Sequence, residues 1–140
     1  MRNLMRAYVL DTSDALELQR TYPDSVFLYN PTYVLSKEQA LFAAAVACRA
    51  CATGQSLAKK LAVEFLIRLS GERKIAQAVT FGPAGLGELA GVIFLDDRID
   101  LSGLSERACV PSPQTVAEKY GVDVADLQNA VYEKMALVAL

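Results

Sequence analysis

Residues 57–82 read LAKKLAVEFLIRLSGERKIAQAVTFG and combine a strong helical pattern with a cluster of basic residues. Apolar side chains recur at helical spacing in the first half, which predicts a helix from Leu57 to Leu69 with Ser56 as its N-cap. Gly71 is expected to end this helix. A further helix is predicted from Glu72 to Phe81, with its apolar residues turned inward. The stretch therefore predicts two helices around a glycine break.

The flanking sequence predicts a small sheet beside these helices. Short apolar runs rich in β-branched and aromatic residues predict strands, and capping residues with apolar periodicity predict helices. The predicted strands are Arg6–Leu10, Val26–Tyr29 and Val92–Leu95, and the other main helices run from Ser36 to about Thr53, from Gln114 to Tyr120 and from Asp123 to about Val138. This pattern predicts an α/β protein.

The composition limits both domain count and chemistry. A chain of 140 residues fits one domain, so residues 1–140 are predicted to form a single unit. Histidine is absent, which excludes Ser-His and Cys-His catalytic pairs and removes the commonest metal ligand. The formal charge of -2 argues against non-specific coating of nucleic acid, although a local basic patch remains compatible with it.

The cysteine count and the apolar runs bear on the compartment. Three cysteines without an extracellular cue indicate a reducing environment, so we expect a cytoplasmic protein. The N-terminus has no long apolar region of the kind found in signal peptides. The longest apolar run, residues 40–52, is shorter than the roughly 20 residues that a membrane span needs. We therefore expect no membrane partner.

Two groups of residues offer metal or redox chemistry. Cys48 and Cys51 could form half of a zinc or redox site, but the favoured interpretation is two small buried hydrophobic residues. Asp96, Asp97 and Asp100 follow a predicted strand, where metal-binding or catalytic carboxylates often occur. Carboxylates there also cap helices and keep loops solvated. A small metal-dependent enzyme using these three aspartates is the alternative function.

The basic cluster is the strongest candidate binding surface, and its members are Lys59, Lys60, Arg68, Arg73 and Lys74. Lys60, Glu64 and Arg68 follow i, i+4 spacing, so one interpretation is a solvated ladder contributing a few tenths of a kcal/mol per pair. The other is a phosphate-binding surface. Cations at a helix start oppose the macrodipole, and a bound anion would offset that cost while using the free N–H groups.

The end of the chain is unusually apolar. Leu127, Val131, Met135 and Val138 form a helical stripe, although free termini usually fray and are polar. Such a stripe must be buried inside its own fold or against a partner, and the sequence does not decide between them. A homo-oligomer that buries this end in itself is a further alternative.

Several ordered features resemble one protein family. They are Glu64-Phe65-Leu66, Leu69-Ser70-Gly71, Arg73, Ile75, Ala78 and Phe81-Gly82 ahead of a Val-Ile strand, together with the Asn-Pro passage before Ser36, the Ala-rich helix after it and the ending Glu133-Lys134-Met135-Ala136-Leu137. The set resembles the TPRKB-type regulatory subunit of the KEOPS complex, with an archaeal-like character. Lys74 stands where the family often has Gln, and Gln39 where it often has His.

The resemblance implies a fold and a role. The fold would be one α/β domain with a small mixed β-sheet packed with several α-helices. The role would be non-catalytic and without a cofactor. The protein would bind the small atypical kinase/ATPase subunit of KEOPS and help recruit tRNA through its single-stranded 3′ CCA end.

We name candidate residues for these two contacts from the sequence. The five basic residues named above would bind RNA phosphates, with Tyr29 and Tyr33 as candidate base-stacking residues. Leu127, Val131, Met135 and Val138 would face the kinase or pack the C-terminus.

Overall fold

The computed structural model describes residues 5–83, 85 and 87–138. Its strands and helices are β1 Arg6–Asp11, α1 Thr12–Thr21, β2 Val26–Tyr29, α2 Lys37–Ala52, α3 Leu61–Ser70, α4 Ile75–Ala78, β3 Leu89–Phe94, α5 Pro113–Tyr120 and α6 Leu127–Leu137. Two short 3₁₀ turns occupy Pro31–Tyr33 and Val79–Phe81. The α/β class is confirmed, and the three predicted strands are all present.

The sheet has the order β1-β3-β2, and both pairings within it are antiparallel. Phe94 of β3 lies opposite Arg6 on one side and Val26 on the other. The prediction of a mixed sheet is therefore wrong, because both strand pairs are antiparallel. β1 and β2 do run in the same direction, but the late strand β3 is inserted between them, so no parallel pair forms.

A glycine inside β3 makes room for an aromatic ring. Gly91 lies opposite Tyr29 of β2, and a Cβ at this position would lie 2.1 Å from the tyrosine ring. The ring therefore lies directly over the β3 backbone. Glycine is required at this position of β3 because the Tyr29 ring fills the space that a side chain would occupy.

The two faces of the sheet carry separate cores. On one face, α2, α3, α5 and α6 pack around Phe27, whose ring stacks on Phe65 of α3 at 4.9 Å between centroids. The small residues of α2 allow this close packing, and Ala40, Ala43, Ala44 and Ala47 are all fully buried. On the other face, α1 and the segment after β3 cover Leu10, Leu28 and Val92.

Within the described residues, no helix is both long enough and apolar enough to cross a membrane.

Three predicted helices differ from the observed ones. α3 begins at Leu61 instead of Leu57, and α6 begins at Leu127 instead of Asp123. The helix predicted from Glu72 to Phe81 is only the single turn α4 followed by a 3₁₀ turn. Ile75 and Val79 were expected to point inward but are 51% and 44% exposed. One helical turn is too short for the 3.6-residue pattern to define a buried face.

Candidate functional site

A buried ion pair organises the entrance to α3. Glu64 is fully buried, and its carboxylate accepts a hydrogen bond from Arg68 Nε at 2.7 Å. The other carboxylate oxygen accepts the backbone N–H groups of Leu57 and Ala58 at 2.7 and 2.8 Å. Arg68 also donates to the Gln55 carbonyl at 3.3 Å. Glu64 therefore holds the connection between α2 and α3 as a folded loop.

This arrangement corrects the interpretation of the i, i+4 ladder. Glu64 and Arg68 belong to the core, with Arg68 only 7% exposed, so the ladder is not a solvated face. The N–H groups of Leu57 and Ala58 bind the Glu64 side chain, which keeps these residues out of the helix and delays its start. Arg68 gains no support as a phosphate ligand, because a phosphate would have to compete with a buried carboxylate.

Lys59 and Lys60 lie on the solvent side of this loop. Both are exposed, and Lys60 occupies the N-cap position of α3. Within the described part of the chain, neither ammonium group has an ion-pair partner. They line a shallow depression together with Gln19 and Asp24. The acidic Asp24 side chain reduces the positive potential there, so this end of α3 is a weaker anion site than the sequence alone predicts.

Arg73 and Lys74 lie at the other end of α3, about 15 Å away along a ten-residue helix. Both are exposed, and Arg73 donates a hydrogen bond to the Val138 carbonyl at 2.8 Å. The helix-start argument fails here, because α4 has only four residues and so lacks a substantial macrodipole. What brings Arg73 to a candidate site is its contact with the end of α6.

Two grooves meet at the Arg73–Val138 contact. The C-terminal groove is about 560 Å³ in volume, and its lining includes Lys74, Gln77 and Leu137. The arginine groove is about 390 Å³, and its lining includes Val46, Arg49, Gln55, Leu57 and Arg68. Arg73 and Val138 belong to both linings. Arg49 and Arg73 thus face a shared depression with apolar walls, in which the buried Arg68 is already neutralised by Glu64.

The two candidate stacking residues have different surroundings. Tyr29 is 1% exposed and packs on Gly91 and Phe65, so its proposed role in base stacking is contradicted. Burial strongly raises the pKa of its hydroxyl. Tyr33 is half-buried, and the Lys119 ammonium lies 4.5 Å from its ring centroid. One face of the Tyr33 ring is therefore already used by an intramolecular cation.

The apolar stripe of α6 is covered by the protein's own core. Val131, Met135 and Val138 are 0%, 6% and 3% exposed, and Leu127 is half-buried. Met135 accepts a hydrogen bond from the Gln39 amide at 3.3 Å, and the same amide donates to the Tyr120 hydroxyl at 2.7 Å. Contact of Val131, Met135 and Val138 with another protein would require α6 to move. Packing inside the fold is sufficient to explain the stripe.

A different face of α2 and α6 is open to solvent. Phe42 is 51% exposed, and its ring contacts Tyr132 of α6 edge-to-face at 5.8 Å. Ala45 and Ala136 beside them are also exposed. We refer to Phe42, Ala45, Tyr132 and Ala136 as the aromatic face. It continues along α2 toward Arg49, which lies seven residues beyond Phe42 and so on the same side of the helix.

The sequence contains a signal for this face. Arg49 is the only charged residue between Gln39 and Ala52, so it marks the solvent side of α2. Phe42 lies two turns before it. The high alanine content of α2 obscures this pattern, because alanine occurs on both its buried and its exposed sides.

The aspartates after β3 form turns. Asp96 accepts hydrogen bonds from Nε and Nη2 of Arg98 and from its backbone N–H, and these bonds lower the pKa of Asp96. Asp100 accepts the Ser102 N–H at 2.9 Å. Across residues 5–83, 85 and 87–138, no three His, Cys, Asp or Glu side chains are grouped to hold a metal ion. The metal-enzyme alternative therefore has no geometric support.

Comparison with known proteins places this chain in a family. The chain matches the protein family described as kinase binding protein CGI-121 over residues 7–85, which is more than half of its length. No curated protein matches the chain. The matched region contains β1 to the second 3₁₀ turn, and so includes both ends of α3. The chain therefore belongs to the CGI-121 family of kinase-binding proteins, the family of TPRKB-type KEOPS subunits.

Proposed function

We propose that the protein is a non-catalytic, cytoplasmic accessory subunit of KEOPS, the complex that places the threonylcarbamoyl group on the adenosine beside the anticodon of ANN-decoding tRNAs. It binds the small atypical kinase/ATPase of that complex and helps hold tRNA by the 3′ CCA end. Family membership supports the kinase contact. The convergence of Arg49 and Arg73 on a groove with apolar walls is the observation that carries the RNA contact.

The chemistry of the arginine groove suits a single-stranded RNA end. Such an end needs cations for its phosphates and flat or apolar surfaces for its exposed bases. Arg49 and Arg73 supply the cations, and Val46 and Leu57 supply the apolar surface. Arg49 is exposed on α2, so its guanidinium reaches a ligand without breaking a core contact. Lys74 lies in the adjoining C-terminal groove and extends the positive surface.

An Arg49→Ala variant tests the RNA contact with little risk to folding. It should bind tRNA several-fold more weakly, and the slope of log affinity against log salt should fall by about 0.7 for one lost phosphate contact. Arg20→Ala is the matched control, since Arg20 is an exposed arginine on α1 at the other face of the sheet. Filter binding across a salt series gives both quantities. Equal affinity for the two variants would remove Arg49 from the RNA site.

The 3′ end is tested separately with two RNA substrates. Wild-type protein should lose most of its affinity for tRNA from which the CCA nucleotides have been removed. The Arg49→Ala variant should discriminate less between the two RNAs, because the contact that it lacks belongs to the 3′ end. Equal binding of both RNAs by wild-type protein would contradict recognition of the CCA end and leave the kinase contact unaffected.

The aromatic face is our candidate for the kinase contact. Protein interfaces concentrate their binding energy in aromatic side chains near the centre of the contact. Phe42 is half exposed and rests against Tyr132, so it is presented without a large conformational search. The small side chains of Ala45 and Ala136 leave room for a partner to approach the two helix backbones closely.

Co-purification with the KEOPS kinase encoded in the same genome tests this surface. Phe42→Asp should abolish co-elution in size-exclusion chromatography, because a charge would be buried in an apolar contact. Val110→Asp is the control, since Val110 is 93% exposed and lies in the segment between β3 and α5. If Phe42→Asp co-elutes normally, the kinase binds elsewhere on the protein. If wild-type protein fails to co-elute, the proposed function itself is wrong.

A further inference from the structure

Two cysteines on α2 are more accessible than core residues. Cys51 is exposed and Cys48 is half-buried at the edge of the main core. The interpretation of both as small buried hydrophobic residues is therefore wrong for Cys51. Free cysteines are among the most buried residue types in proteins, so an exposed thiol one turn from a second thiol is an unusual arrangement.

The backbone brings the two thiols close to the distance that a disulfide needs. Residues i and i+3 of a helix have Cβ atoms roughly 5–6 Å apart, whereas a disulfide needs about 3.5–4.5 Å. Cys48 and Cys51 lie in the last turn of α2, which ends at Ala52. In this turn the Cys51 carbonyl accepts a long 3.4 Å hydrogen bond from Gly54 N–H, while the Arg49 and Ala50 carbonyls accept from Thr53 and Gln55 at 3.0 and 2.8 Å. Closing the disulfide therefore requires this last turn of α2 to tighten locally.

We propose that Cys48 and Cys51 form a thiol–disulfide exchange site that reacts with small-molecule disulfides and closes to an intrahelical disulfide. The exposed Cys51 thiolate attacks the small disulfide, forms a mixed disulfide and releases one equivalent of small thiol. The Cys48 thiolate then attacks the Cys51 sulfur, and the second small thiol leaves. Two protein thiols are oxidised and one small disulfide is reduced to two thiols, with both protons passing to solvent or to the leaving thiolates.

The position of the two cysteines affects how fast the disulfide closes and how readily it is reduced. Burial and the neighbouring Cys51 raise the pKa of Cys48, so the closing step should accelerate as pH rises above neutral. A helix C-terminus also disfavours thiolates. Because the Cys48 thiolate gains no stabilisation here, the reduced form is not favoured in the way that it is for cysteine pairs at a helix N-terminus.

Closing this disulfide would also affect the arginine groove. The importance of that effect rests on the proposed function. Arg49 and Ala50 are the two residues that the disulfide encloses, and both line the arginine groove. Tightening the last turn of α2 would therefore move one wall of that groove. The thiol chemistry itself can be tested without RNA or kinase.

Peptide mapping gives a direct test, because trypsin cuts after Arg49, between the two cysteines. A Cys109→Ser variant, which retains only this pair, is incubated with oxidised glutathione at slightly alkaline pH. The expected product is a monomer lighter than the reduced protein by two hydrogens. After digestion, peptides 38–49 and 50–59 should remain linked, and dithiothreitol should separate them. Adding Cys48→Ser should instead leave glutathione attached to Cys51.

Three results would overturn the proposal. One is a glutathione adduct that persists on Cys51 while Cys48 is present, since ring closure would then have failed. Another is a covalent dimer, which would show that the linked peptides come from two molecules. The third is two unmodified thiols after prolonged incubation at alkaline pH, which would show that Cys51 is unreactive.

Discussion

The two ends of α3 each carry a pair of neighbouring basic residues, but the rest of the fold treats them differently. At the first end, Lys59 and Lys60 project from a loop that Glu64 holds from below, and they remain exposed beside Asp24. At the second end, Arg73 reaches across to the Val138 carbonyl and lies where two grooves meet. Similar basic residues thus lie on an exposed loop at one end of α3 and line two adjoining grooves at the other end.

The largest effect is expected at the first end, from Glu64→Gln. The change leaves the buried Arg68 without its counter-charge and weakens the acceptor of two backbone N–H groups. Breaking a buried ion pair typically costs about 3–5 kcal/mol, and we expect a loss of free energy of unfolding in that range. Urea titration measures it. Glu17→Gln, which removes the exposed partner of Arg20, should leave stability nearly unchanged. Equal midpoints would show that Glu64 does not hold the loop.

At the second end, Gly71→Ala should come next in size. Gly71 has φ +70°, and an added Cβ would lie 2.8 Å from the Lys134 carbonyl oxygen of α6. Gly54 is the matched control, because its φ is +74° and nothing lies within 4 Å of its Cβ position. Gly54→Ala should cost about 1 kcal/mol of left-handed strain, and Gly71→Ala about 3 kcal/mol because α6 must also shift. Equal losses in urea titration would show that α6 does not pack closely on Gly71.

The smallest effect separates the two basic pairs directly. Arg73→Ala removes a hydrogen bond to the Val138 carbonyl and should cost about 1 kcal/mol of free energy of unfolding. Lys60→Ala removes an exposed side chain and should change stability by less than about 0.5 kcal/mol. Amide hydrogen exchange at the end of α6 should accelerate only in the Arg73 variant. Faster exchange in both variants, or in neither, would remove the contrast between the two ends.

Much of the fold could be predicted from local sequence. The three strands, the capping role of Ser36 and the glycine break after Ser70 all depend on residues close together in the chain, and the structure confirms each of them. The start of α3 could not be predicted in this way. Ser56 looks like an N-cap, but the Glu64 side chain binds the N–H groups of Leu57 and Ala58 from seven and six residues away, which holds these residues in a loop.

The candidate site was less predictable than the fold. Residue type identified Lys59, Lys60, Arg73 and Lys74 as exposed cations, which the structure confirms, but not the grooves beside them. Arg68 has the same charge and lies in the core. Arg49 and Phe42 were not predicted, because alanine occurs on both the buried and the exposed sides of α2 and its composition does not distinguish them.

By itself, the sequence determined the type and order of the helices and strands, the break at Gly71 and the resemblance to one family, since these depend on local spacing and residue identity. Only the tertiary structure decided which charges are free to meet a ligand. This depends on contacts between segments far apart in the chain, as when Arg73 meets a carbonyl group 65 residues later. A pattern of basic residues records where cations occur along the chain, and packing determines which of them face solvent.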